Sequence, residues 1–180
     1  MNRSLVIAGA GAVALAVASQ GRQIATSKLV TGSDVETFRR RLAPFASSFD
    51  RWSNRYSISR SLLQAIAIKE SSGNPNAIGY NGTVNPERWD YGLMQLNAVT
   101  ARTAASRIPL PGFGLHQLFD PDVSIRCAAW LLDDNRRVTG RIDKESMLAQ
   151  YHAGAHGAID RPYVLAAITW ENYARQGAFG

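Results

Sequence analysis

Apolar side chains recur at helical spacing through most of the chain, broken once by a stretch with no such period. The rest of the chain is organised around the apolar stretch Ser59 to Ser72. There Leu62, Leu63, Ile66 and Ala67 fall on one helical face, and Glu70, four residues after Ile66, falls on the same face. Gly73 and Pro75 stop this helix just beyond the acid. Upstream, Ser33-Asp34-Val35-Glu36 has the form of a capping box and predicts a helix starting near Asp34 that Pro44 breaks or kinks. From Pro44 to about Tyr56 a second helix carries Phe45, Phe49, Trp52 and Tyr56 at spacings of four, three and four, an aromatic stripe that reads as core packing.

The aperiodic stretch is Gly73 to Tyr91. It is rich in turn formers, and Asn81-Gly82 is its strongest hairpin signal, so a small two- or three-stranded antiparallel sheet or an ordered loop is expected beside the end of the central helix. Asn97 then caps a helix over Ala98 to Ala105, and Ser106 to Phe119 reads as an irregular loop. Asp120-Pro121 supplies a cap and a first-turn proline for a helix ending near Gly140, with Ile125, Ala128, Ala129, Leu132 and Trp130 facing inward. Asp143 caps the next helix, which runs through Met147 and Leu148 to Tyr151 and meets Gly154; Pro162 opens a last one that stops at Gly177. The class is mainly α, a helical domain with one small β-hairpin or loop excursion beside the central helix.

The N-terminus differs from the rest. Leu5 to Ala18 holds no charge, follows an arginine, and ends in Ala16-Val17-Ala18, a small-x-small site of the kind signal peptidases cut. As a helix it would reach about 21 Å at ~1.5 Å per residue, short of a ~30 Å hydrocarbon core, so export is the expectation and a stable span the weaker reading. The organisation expected is therefore a signal-like segment at 1–18, a polar linker at 19–32 and one domain at 33–180. Membrane contact, if the segment is retained, would come through residues 5–18.

Charge narrows the partners. The net +6 comes from 17 arginines and three lysines spread along the chain, with a run only at Arg39 to Arg41. That is a general bias toward anionic surfaces and not the clustered stripe of a nucleic-acid binder. Cys127, the one cysteine, lies in an apolar run and reads as a small buried hydrophobe. His152 and His156 are four apart, but Gly154 lies between them and no third ligand can be placed, so no metal site is expected.

Glu70 is the candidate chemical group: a carboxyl on an apolar face is held protonated by burial and can act as a general acid. The elements around it come in a telling order: Glu70-Ser71, Asn74 to Ile78 (N-P-x-A-I), Asn81 to Thr83 (N-G-T), Asp90 to Asn97 (D-Y-G-L-M-Q-L-N), Phe119 to Leu132, and Ala149 to Gly154 (A-x-Y-x-A-G). Over roughly residues 55 to 170 this resembles the SLT-type lytic transglycosylases of the goose-type-lysozyme-like superfamily, closest to the small enzymes that open the wall for secretion, conjugation, pilus or phage machinery.

The resemblance implies a lysozyme-like α+β fold and cleavage of the bond between N-acetylmuramic acid and N-acetylglucosamine in peptidoglycan, with a 1,6-anhydro product and no cofactor or metal. It implies Glu70 as acid and then base. Tyr151 would hydrogen-bond the catalytic carboxyl, Met94 and Gln95 would line the sugar groove, and Ser71 would support the backbone or the substrate. His152 stands where the wider family has asparagine and could alter the pH dependence. Asp90, or Glu87, could serve as a second acid, in which case the enzyme would be a goose-type-like muramidase. A non-catalytic glycan-binding module is the third reading. The implied location is the periplasm or cell envelope, or a virion that delivers the protein there, with secretion, conjugation, pilus or phage-ejection components as partners.

Overall fold

The computed structural model describes residues 30–153 and 159–179. Among these are seven α-helices and one small sheet: α1 Gly32–Leu42, α2 Ala46–Tyr56, α3 Arg60–Ser71, β1 Ile78–Gly79, β2 Asp90–Tyr91, β3 Leu96–Asn97, α4 Ala98–Arg107, α5 Pro121–Thr139, α6 Lys144–Ala153 and α7 Arg161–Arg175. The expectation of a mainly helical chain with one β excursion is met. The segment at 1–18 and most of the expected linker lie outside the described residues.

The centre is α3. Every residue from Ser61 to Ile68 is buried, Gln64 included, so the helix is enclosed all round and not merely along one stripe. Burying Leu62, Leu63 and Ile66 contributes roughly 1.5–3 kcal/mol each. Helix α7 covers α3 most extensively, while α2 packs chiefly on α5. The aromatic stripe of α2 is core as expected: Phe49 is fully buried and Phe45, Trp52 and Tyr56 pack against the cluster. Cys127 is buried too, its thiol pushed up to about 12 by desolvation.

One charge lies deep in this core. Glu171 of α7 is 1% exposed and accepts from Ser61 Oγ at 2.8 Å and Lys144 Nζ at 2.6 Å. Its two oxygens thus join the first turns of α3 and α6 to α7, and sequence periodicity gave no hint of it.

Several boundaries move for identifiable reasons. Helix α1 starts earlier than the Ser33 box predicts, because Thr31-x-x-Asp34 closes the same reciprocal pair: Thr31 Oγ1 accepts from the Asp34 amide at 3.2 Å and Asp34 Oδ2 from the Thr31 amide at 3.0 Å. Gly32 therefore belongs to the helix, not to a linker. Pro44 sits in a 3₁₀ turn, Ala43–Phe45, between α1 and α2. The expected loop at 106–119 ends in another 3₁₀ turn, Leu115–Phe119, anchored by fully buried Leu118.

The sheet has the order β1-β2-β3 and is antiparallel throughout, pairing Ile78 with Tyr91 and Asp90 with Asn97. Asn81 and Gly82 do form a turn, with φ of 49° and 65° and the Thr83 amide donating to the Tyr80 carbonyl at 3.0 Å. That turn does not join the strands directly. It opens a longer excursion over residues 80–89, so the strands are short and the loop dominates.

Candidate functional site

Glu70 lies in the last turn of α3, half-buried, where the chain leaves the helix through left-handed Ser72 at φ 55°. Burial is the largest influence on its carboxyl and raises its pKa; the Asp90 charge adds to this. The Tyr163 hydroxyl, His152 and Lys69 oppose it without cancelling it. One sharp contact fixes the side chain: Tyr163 Oη donates to Glu70 Oε1 at 2.6 Å. The phenol is itself pushed far above its ordinary range by burial, so it stays a donor.

Tyr163, not Tyr151, thus holds the carboxyl, and the expected role of Tyr151 is corrected. Tyr151 Oη donates to the Met94 carbonyl at 2.7 Å. It stands within electrostatic reach of Glu70 and Asp90, both of which raise its pKa after burial has done so, but its hydrogen bond serves the loop. Tyr163 shares the inner face of α7 with Val164, Ala167 and Glu171, so periodicity alone makes it core. The signal that could have marked it is positional. Asp160 caps α7 by accepting from the Tyr163 amide at 3.2 Å, which sets this tyrosine in the first turn, aimed at the end of α3.

The groove-lining expectations for Met94 and Gln95 also change. Met94 is fully buried, so it forms core beneath the site and presents no wall to a sugar. Gln95 adopts φ 47° and spends its amide nitrogen on two backbone carbonyls, Ala77 at 3.1 Å and Gly92 at 2.9 Å. Its oxygen crowds Gly79, where a Cβ would come within 2.8 Å. Gln95 therefore braces β1 against the turn after β2 and has no amide hydrogen left for a sugar. Ser71 Oγ donates to the Ala67 carbonyl at 2.9 Å, one turn back along α3.

Of the two candidate second acids, only Asp90 faces the site. It is half-buried in β2, accepts from Asn81 Nδ2 at 2.8 Å, and has its pKa raised by burial against the pull of Asn81 and His152. Glu87 is exposed and doubly bonded to Arg102, which holds its carboxyl below the usual range. His152, on α6, stacks on the Tyr163 ring at 4.1 Å between centroids and 16° between planes. Lys69 Nζ lies 5.2 Å from the same ring's centroid. His156 lies outside the described residues, and among those described no group of three His, Cys, Asp or Glu could hold a metal.

A buried acid at the end of a central helix, beside a short antiparallel sheet, is the arrangement of a known family, and the family model for the transglycosylase SLT domain matches residues 47–162. The chain belongs to the transglycosylase SLT domain family. Its SLT match takes in Glu70, Asp90 and Tyr151 and stops one residue short of Tyr163. Among SLT relatives, the invasion protein IagB of Salmonella typhimurium is 32% identical over 124 residues, which is 67% of this chain and 71% of IagB. Protein IpgF of Shigella flexneri is 36% identical over 97 residues, 53% of this chain, and the match spans 59% of IpgF. The lytic transglycosylase Slt of Pseudomonas aeruginosa, solved as an inactive mutant, superposes with a TM-score of 0.60 at 22% identity, over 73% of this chain and 24% of that one. That likeness is one of fold.

Proposed function

We propose that this protein is a peptidoglycan lytic transglycosylase that uses Glu70 alone as acid and base. The observation carrying this is the half-buried Glu70 carboxyl, its pKa raised by desolvation and its Oε1 occupied by the Tyr163 hydroxyl. Because Oε1 already accepts a proton donor, the acid's own proton belongs on Oε2. In the first step Oε2–H protonates the glycosidic oxygen between N-acetylmuramic acid and N-acetylglucosamine; the C1–O bond breaks and the N-acetylglucosamine end leaves as the alcohol. In the second, the Glu70 carboxylate takes the proton of the muramoyl C6 hydroxyl as O6 bonds to C1. The anhydro ring closes and the acid is restored. The nucleophile belongs to the substrate, so the scheme calls for no second carboxylate, cofactor or metal.

Hydrolysis is the second reading because Asp90 faces the site. It would need Asp90 to activate a water. The Asn81 amide already donates to one oxygen of that carboxylate, which weakens its hold on a water's proton and favours the transglycosylase. The products of digested sacculi decide by mass spectrometry: muropeptides one water lighter than hydrolysed ones support the proposal, and reducing ends throughout exclude it. A non-catalytic module would give neither.

Tyr163→Phe removes the one side-chain hydrogen bond that Glu70 makes among the described residues. Since that bond favours the carboxylate, its loss lets Glu70 stay protonated to higher pH, and the alkaline limb of the rate profile should move up. The maximal rate should fall by about 10-fold as the acid loses its orientation. A pH–rate profile with an unmoved alkaline limb would count against the assignment.

The substrate places the work in the periplasm. The name of IagB as an invasion protein supports a post beside an envelope-spanning machine. Among the described residues no helix is long and apolar enough to cross a membrane.

A further inference from the structure

We infer that His152 is a positioning residue for the acid: braced by Asp160 and laid flat on the Tyr163 ring, it holds the phenol against Glu70 and, through its charge, sets the pH range in which Glu70 donates a proton. This rests on the reading of Glu70 as the acid.

The argument begins with Asp160, whose two oxygens have separate duties. Oδ1 accepts from the Tyr163 amide and starts α7; Oδ2 lies 3.3 Å from His152 Nε2. One carboxylate thus fixes both the helix that carries Tyr163 and the imidazole that lies on its ring. The stack, 4.1 Å and 16° from parallel, limits swinging of the phenol. At its far end the ring delivers the 2.6 Å bond to Glu70. The contacts run unbroken from Asp160 to His152, to Tyr163, to Glu70.

Charge acts along the same path. Among the described residues, the groups that interact with His152 are Asp160 ahead of α7, Glu70 from α3, Asp90 from β2 and the Tyr163 ring, whose other neighbour is Lys69. A positive imidazole favours the carboxylate forms of both Glu70 and Asp90. A neutral side chain at 152 removes that pull from both carboxyls. Asparagine at this position could bond Asp160, but it could neither carry charge nor cover the ring.

Three variants of the full chain separate these duties. H152F keeps a flat ring and drops the charge and the bond to Asp160, H152N keeps a partner for Asp160 and drops charge and stack, and H152A drops all three. The first readout is the titration of the Glu70 carboxyl by ¹³C NMR in the free protein, assigned by its disappearance in E70Q. Its midpoint should rise in every variant, and coincidence of H152F and H152N with wild type would overturn the electrostatic role. The second is kcat at each variant's optimum: H152F should stay within about twofold of wild type and H152A should fall about tenfold with KM unmoved. An H152A kcat equal to wild type would overturn the positioning role. The titration does not depend on turnover, so a protein that yields no anhydro product would defeat the proposed function separately.

Discussion

Glu70→Gln should slow clearing of purified sacculi by about 10³-fold, because the amide can neither give nor take the proton on which both steps depend. The same substitution should leave the fold at least as stable near neutrality. Burial raises the Glu70 pKa from its ordinary 4.5, so the native chain binds this proton more tightly than the unfolded chain does. Below pH 4.5 both states hold the proton and the wild type keeps its full stability. As pH rises through the raised folded value the native state must release it, and that part of the stability is lost. Glutamine has no proton to lose and still offers Tyr163 an oxygen. The melting temperature of E70Q should therefore gain on wild type between pH 4 and pH 8. Wild-type clearing by E70Q would end the proposal, and a melting difference independent of pH would remove its burial argument.

The parts that were legible in the sequence are those set by local rules. Asn97, Asp120 and Asp143 cap their helices as their side-chain chemistry requires, accepting from Thr100, Asp122 and Ser146 amides at 2.9, 2.9 and 2.8 Å. Glu70 was visible because a lone acid on an apolar face breaks the pattern. What stayed hidden is tertiary. Tyr151 and Tyr163 are both tyrosines on half-apolar helices, and only the packing of α7 on α3 decides which phenol reaches the carboxyl. Met94 and Gln95 sit in a motif that resembles a groove. The chain there turns through left-handed Gln95, which sends the methionine into the core and folds the glutamine amide back onto Ala77 and Gly92. Glu171 was invisible for a related reason: besides Arg175 one turn along α7, the partners that make a charge tolerable at this core position are Ser61 and Lys144, far away in sequence.

Gly92→Ala should be the most damaging small substitution in the domain, and the reason is steric as well as conformational. Gly92 links β2 to the turn before β3 at φ +74°, a region where side chains are strained. Its Cβ would stand 1.9 Å from the Leu118 carbonyl oxygen and 2.8 Å from that carbonyl carbon, inside a backbone that cannot swing aside because Leu118 is fully buried. Strain and overpacking together should cost roughly 3–5 kcal/mol, a melting drop of roughly 10 °C for a domain of this size. Gly140, the left-handed cap of α5, is the control: φ is +67° but nothing lies within 4 Å of its Cβ, so Gly140→Ala should cost only about 1 kcal/mol. Equal melting losses in the two variants would show that conformation alone decides, and that the Leu118 contact does not matter. Activity adds a second consequence. Gly92 donates to the Ala77 carbonyl at 2.9 Å and accepts from Gln95, and this turn carries Asp90 on one side and the Met94 carbonyl that seats Tyr151 on the other. Whatever fraction of the alanine variant folds must displace that turn, so its rate should fall further than its folded population does.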